Sequence, residues 1–374
     1  MSIKRAIEDK VITWADKGKI ILLYGPRQVG KTTLVKDILS KIPGRYINCE
    51  ITENQRVLES GDLATIRTFI GEGNFFVFDE AQKVTNIGLV LKLLKDTYPE
   101  LKIIATGSSS FDLANKASEP LTGRAFEFKL YPLSYGEIVG MKEAWERAAM
   151  LESLLTFGAY PEVVNNNWLD APLFLNNLTA QYLYKDVFEF ETLKKPKLLG
   201  NLLQLLALQL GSEVSLNELA IKLETTRKTV ERYLDLLEKC FVIFPLYPLS
   251  RNPRREIGRK YKIYFYDLGV RNSLISRFTP LAAREDVGAL WENFCVIERR
   301  KALAYGLLSH NQFFWRDVRG GEVDYVEEYD GRIHGYEFKW GKGQSRPPKN
   351  FLETYKADFA TVNKENFIDF LDKF

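Results

Sequence analysis

From Lys19 to about Leu133 the chain alternates short apolar runs with stretches of helical period. The runs are Ile20 to Tyr24, Arg45 to Cys49, Phe75 to Phe78, Lys102 to Ala105 and Ala125 to Leu130. Strands separated by helices predict a parallel sheet covered by helices. From Tyr135 to about Gln209 the period is helical, with loops at Gly158 to Pro161 and Asn165 to Pro172, which predicts a helical lid. From Ser215 to Cys240 two helical segments flank a short turn, Glu224-Thr225-Thr226. Apolar or aromatic pieces follow around Phe241 to Tyr247 and Lys262 to Tyr266, the layout of a winged helix-turn-helix. From Val287 onwards a helix precedes strands near Gln312 to Trp315, Glu322 to Glu327 and Ile333 to Trp340, then a helical tail: a mixed α/β domain. The expected division is a core over 1–134, a lid over 135–209, a winged helix-turn-helix over 210–266 and an α/β domain over 267–374.

Composition narrows this picture. A chain of 374 residues exceeds a usual single domain, so two or three cores are expected. The net charge of +3 gives no global field to attract nucleic acid or membrane, so any such partner must be met by a local patch. Cys49, Cys240 and Cys295 are odd in number and far apart, which suits neither a disulfide framework nor a clustered zinc site and points to a reducing cytoplasm. The N-terminus lacks an apolar signal core, and the run Phe241 to Leu249 is short and broken by Pro245 and Pro248, so no membrane partner is expected. With only His310 and His334, a Ser-His triad or a multi-histidine metal site is hard to build.

The strongest chemistry lies after the first strand. Gly25-Pro26-Arg27-Gln28-Val29-Gly30-Lys31-Thr32 fits G-x-x-x-x-G-K-[ST], follows a buried strand and opens a helix at Thr33. Glycines let the loop curl so that successive amides face phosphates. Lys31 reaches the β/γ-phosphates and the Thr32 hydroxyl takes Mg²⁺, so ATP and Mg²⁺ are the expected ligands. The bland alternative is an ordinary glycine-containing loop. A second apolar strand ends in Asp79-Glu80. Adjacent side chains point differently, so Asp79 can address Mg²⁺ while Glu80 activates the attacking water; otherwise Asp79 is a helix cap. A third strand runs into Thr106-Gly107-Ser108-Ser109-Ser110, where Ser108 either senses the γ-phosphate or caps a helix. Arg124, before the last strand, either supplies charge to the transition state, in cis or to a neighbouring subunit, or is a solvated surface arginine.

Over nearly its whole length the chain resembles prokaryotic AAA+-type ATPases whose C-terminal domain has unknown function and a restriction-endonuclease-like fold. The resemblance is carried by GPRQVGKTTL at Gly25 to Leu34, VFDEAQ at Val77 to Gln82, ATGSSS at Ala105 to Ser110, LTGRAFEFKLYPLSYGE at Leu121 to Glu137 and GAYPEVV at Gly158 to Val164. It continues in YFYDLGVRNSLI at Tyr264 to Ile275, GALWENF at Gly288 to Phe294 and FWRDVRGGEVDYVEEYDGRIHGYEFKW at Phe314 to Trp340. No arginine in the lid matches the second sensor of hexameric AAA+ machines, which argues against a ring-shaped motor.

Two further patches bear on partners. The segment opening at Thr226-Arg227-Lys228 turns Val230, Leu234 and Leu237 inward, leaving basic groups outside. Arg251, Arg254, Arg255, Arg259, Lys260 and Lys262 follow on a would-be wing. Such a module either straddles a DNA backbone or docks against protein with its charges solvated. In the C-terminal part, Glu337 and Lys339 share one face of a strand, and Asp324 lies on the preceding strand of an apparent hairpin at Asp330-Gly331. If Asp324 projects to that face, two carboxylates could hold a second Mg²⁺ with Lys339 positioning charge, and Glu292 on a helix could add a ligand. By resemblance this looks like a D…E-x-K nuclease core; the alternative is a cross-strand ion pair. Two functions therefore compete: ATP turnover gating a DNA-processing nuclease, and a nucleotide-dependent switch or scaffold, homo-oligomeric or bound to a protein partner, with a silent C-terminal domain. A nucleotide kinase is a distant third, since no acceptor site is evident.

Overall fold

The computed structural model describes residues 3–108, 121–140, 144–180, 196–250, 261–317 and 319–372. The chain divides into two compact units, residues 1–133 with 239–241, and residues 134–238 with 242–374. Ser134 opens the second unit, and residues 209 and 266 lie within it.

The first unit holds five strands: β1 (Ile20–Tyr24), β2 (Arg45–Asn48), β3 (Phe75–Asp79), β4 (Lys102–Gly107) and β5 (Ala125–Lys129). They form one parallel sheet in the order β2-β3-β4-β1-β5. Every residue of β1 and β3 is buried, as continuous apolar runs covered by helices require. β4 lies between β1 and β3, although it follows both in sequence. That order sets the carboxyl ends of β1, β4 and β3 side by side, the position at which open α/β sheets hold ligands.

The second unit holds β6 (Glu213–Val214), β7 (Ile243–Pro248), β8 (Tyr261–Phe265), β9 (Asn311–Arg316), β10 (Glu322–Tyr329), β11 (Arg332–Phe338) and β12 (Asp358–Val362). They join as a single sheet in the order β12-β11-β10-β9-β7-β8-β6. The strands of the expected winged segment therefore continue the C-terminal sheet. Tyr247 and Pro248 pair in parallel with Phe313 and Phe314, and the Leu249 amide donates to the Phe314 carbonyl at 2.7 Å. The two helices expected there span Leu216–Lys222 and Arg227–Lys239, the first capped by the Ser215 hydroxyl.

A long helix, Val287–Gly306, buries Trp291, Phe294 and Arg299. Arg299 meets Glu327 of β10 at 2.7 and 2.9 Å, a fully buried two-point ion pair. In the expected lid segment, helices Ala144–Phe157, Ala171–Leu178 and Pro196–Leu208 pack on Leu268–Leu274 of the same unit. Asp267 ties them together, accepting the amides of Val270 at 3.0 Å and Ala159 at 2.7 Å, and a Cβ on Gly158 would lie 2.2 Å from its Oδ1. The Asn272 amide adds bonds to the carbonyls of Leu155 and Thr156 at 3.0 and 2.8 Å.

Arg251, Arg254, Arg255, Arg259 and Lys260, and Ser109 and Ser110, lie outside the described residues. Among those described, no helix is long and apolar enough to cross a membrane.

Candidate functional site

The phosphate loop leaves β1 after Tyr24. Gly25 packs so closely on the end of β5 that a Cβ would stand 2.0 Å from the Leu130 carbonyl oxygen. Left-handed backbone at Gln28 (φ 59°) and Gly30 (φ 94°) curls the chain into the helix Lys31–Lys41. Gly30 supplies no side-chain cap, so the first helix amides are left for an anion. Lys31 is buried and donates to the carbonyls of Gly25 and Pro26 at 2.9 and 2.7 Å, which holds its ammonium inside the loop. Val29 is buried beneath the loop, while Thr33 faces solvent.

Three hydroxyls converge on Asp79 at the end of β3. Thr32 Oγ1 donates to Oδ2 at 2.8 Å, Tyr46 from β2 donates to the same oxygen at 2.5 Å, and Thr106 from β4 donates to Oδ1. Paired oxygen donors on Thr32 and Asp79 suit Mg²⁺, a hard cation that takes few protein ligands. Glu80 follows in a left-handed turn (φ 54°), its amide bonded to Thr106 Oγ1 at 3.1 Å. Its carboxylate is held by Gln82, whose Nε2 lies 2.5 Å from Glu80 Oε2 and 3.1 Å from Ser108 Oγ. The structure thus brings Lys31, Thr32, Asp79, Glu80 and Ser108 to one edge of the sheet.

Arg124 is not brought there. Its carbonyl accepts from the Ile20 amide at the amino end of β1, and its guanidinium pairs with Asp96 at 2.6 and 3.1 Å. The five-residue strand β1 separates it from the loop, roughly 16 Å at about 3.3 Å per residue. A role in cis is therefore corrected: Arg124 sits at the wrong end of the sheet for its own site.

Three residues of the site escaped the sequence reading. Arg5, buried, donates to the Val29 carbonyl from Nη1 and to the Tyr131 carbonyl from Nη2, each at 2.7 Å, pinning loop to β5. Tyr46 reaches Asp79 from β2, and Gln82 links Glu80 to Ser108. Only Gln82 had a signal, standing within the VFDEAQ stretch.

In the second unit, Asp324 and Glu337 are cross-strand neighbours, one step beyond the paired Tyr325 and Tyr336. Asp324 Oδ2 accepts the Phe338 amide at 2.9 Å, and Lys339 donates to Glu337 at 2.8 Å. Glu292 accepts from the Tyr264 hydroxyl at 2.6 Å. At their centre is the ammonium of Lys262 from β8, 2.9 Å from Glu292, 2.8 Å from Glu322 and 3.9 Å from Asp324. Only 2% of its side chain is exposed, so Lys262 is no wing contact for phosphate. Burial alone would lower its pKa, but the three carboxylates outweigh burial and raise it. Burial first, then Glu292 and, more weakly, Glu337 push Asp324 up to about 7, with Lys262 and the Phe338 amide opposing. Among the described residues, no three His, Cys, Asp or Glu side chains converge in a way that could hold a metal. Of the expected second metal site of Glu292, Asp324, Glu337 and Lys339, the first two thus face the buried ammonium of Lys262.

A family model described as an AAA domain matches residues 17–139. Models of domains of unknown function match 148–281 (DUF8612) and 287–368 (DUF4143). An uncharacterized protein of Mycobacterium tuberculosis is 29% identical over 329 residues, 86% of this chain and 70% of that one. Another, of Methanocaldococcus jannaschii, is 27% identical over 308 residues, covering 69% of this chain and 63% of its relative. A solved structure described as a Walker-type ATPase of Pyrococcus abyssi shares the fold, with TM-score 0.50 at 19% identity over 73% of this chain and 96% of that one. Over residues 17–139 the chain is thus similar to AAA-type domains, and its parallel sheet and glycine-containing loop have the fold of P-loop ATPases.

Proposed function

We propose that this chain binds Mg²⁺·ATP at Gly25 to Thr33 and hydrolyses it with Glu80 as base, while its C-terminal acidic cluster cleaves nothing. The single observation carrying the first part is the shared bonding of Thr32 and Thr106 to Asp79 beside the loop that encloses Lys31. Loop amides of residues 27–33 would surround the phosphates, and Lys31 would exchange the carbonyls of Gly25 and Pro26 for β/γ-oxygens. Mg²⁺, held by Thr32 and Asp79, would supply neutralising charge there. Glu80, in its strained turn, takes a proton from water facing the γ-phosphate, which Ser108 contacts. Arg124 could serve only a neighbouring molecule.

The second part rests on Lys262. Its buried ammonium already balances acids that a nuclease would devote to metal, which favours a nucleotide-dependent switch or scaffold with a partner-binding C-terminal domain over an ATP-gated nuclease. DNA contact by the helix Arg227–Lys239 stays with the competing reading, and DNA-stimulated turnover would support that reading instead. Calorimetry and single-turnover assays test the ATPase. Lys31→Ala should weaken ATP binding about 100-fold or more, and Glu80→Gln should bind ATP normally yet lose about 100-fold or more in turnover. Unchanged affinity in the first variant, or wild-type turnover in the second, would overturn the corresponding assignment.

A further inference from the structure

Gln82 is 5% exposed, in the turn Ala81–Lys83 that follows the acidic strand. Its amide nitrogen spans two groups that directly follow different strands, Glu80 Oε2 at 2.5 Å after β3 and Ser108 Oγ at 3.1 Å after β4. The Glu80 main chain is fixed separately by Thr106. Both hydroxyls that hold Glu80, directly or through Gln82, therefore come from β4 and the residue just after it. A glutamate with several rotatable bonds gains a defined direction from such a tether, and a base contributes only when aimed at its proton. We propose that Gln82 is a positioning residue that aims the Glu80 carboxylate at the attacking water and ties that aim to Ser108 at the γ-phosphate end of the site. The inference rests on the reading of Glu80 as base.

A buried glutamine could instead merely fill space. Gln82→Met keeps that volume and removes the donor to Glu80 and Ser108, so the two roles separate in how turnover and ATP affinity respond. A space-filler replaced by methionine of like volume leaves turnover as it was, whereas loss of an aiming donor lowers turnover with affinity unchanged.

Single-turnover hydrolysis would be followed in wild type, Gln82→Met, Gln82→Leu and Glu80→Gln, with ATP affinity and melting temperature measured alongside. Expected is a rate about tenfold lower in Gln82→Met, with ATP affinity within about twofold of wild type. Wild-type rates in folded Gln82→Met, with Glu80→Gln inactive, overturn the role of Gln82 alone. An active Glu80→Gln overturns the base and this inference with it. If Gln82→Met does not fold, wild-type rates in folded Gln82→Leu overturn the proposal.

Discussion

Gly25 stands where a side chain has no room, because the Leu130 carbonyl oxygen occupies the place of its Cβ at 2.0 Å. Gly25→Ala should therefore push the loop off β5. A loss of about 2 kcal/mol or more in the first unit, with ATP affinity reduced in calorimetry, is the expected outcome; an unchanged melting curve and affinity would contradict the close approach. Asp324 permits a test by pH. Its unfolded pKa lies near 4 and its folded value near 7, so between those values the folded chain keeps a proton that the unfolded chain has lost. The stability due to this group falls as pH rises through that window and is level above it. Asp324→Asn keeps an acceptor for the Phe338 amide and cannot ionise, so its melting temperature should gain on wild type between pH 5 and 8. The gain should be about 2–4 °C for each kcal/mol, and a pH-independent difference would contradict it. The residues that were legible in the sequence, Lys31, Thr32 and the Asp79-Glu80 pair, sit in contiguous motifs. Arg5, Tyr46 and the true place of Lys262 were not legible, because their partners stand 126, 33 and 30 residues away and no local spacing encodes them.

Among the elements, the parallel sheet was legible because its central strands β1 and β3 read as nearly continuous apolar runs and helices alternate between strands. Strand order was not, since β4 enters between β1 and β3 only through packing. The same limit concealed the pairing of β7 with β9, where parallel strands meet across more than 60 residues and local pattern suggested a winged helix-turn-helix. The segment before the first helix offers an element-scale prediction. Arg5 clamps the Val29 and Tyr131 carbonyls in a buried setting, and charge-assisted bonds of this kind contribute about 1.5–3 kcal/mol each. Arg5→Met should leave both carbonyls without their guanidinium donor and loosen the loop. ATP affinity should fall about tenfold or more, with rapid amide exchange around Val29. Wild-type affinity in a folded Arg5→Met would show that the sheet alone holds the loop.

At the scale of the whole molecule, the issue is whether nucleotide turnover is coupled to chemistry in the C-terminal sheet. Lys262 reaches from β8 into acids carried by Glu292 of the long helix and by Glu322 and Asp324 of β10, so one ammonium joins three elements of the second unit. Removing one partner of such a buried group is costly, about 3–5 kcal/mol, because the remaining charges lose their balance. Lys262→Gln should accordingly melt at lower temperature. The vacated acids should then take Mn²⁺, and millimolar Mn²⁺ should raise the melting temperature of Lys262→Gln while leaving wild type unmoved, since a ligand stabilises only the form that binds it. The double variant Lys262→Gln with Asp324→Asn should lose that gain. Wild-type protein should cut neither single-stranded nor duplex DNA with Mn²⁺, whether loaded with ATP, ADP or a non-hydrolysable analogue. Nucleotide-dependent cutting by wild type that disappears in Asp324→Asn would instead mean that the ammonium leaves the acids during the ATP cycle, and the gated nuclease would displace the silent domain.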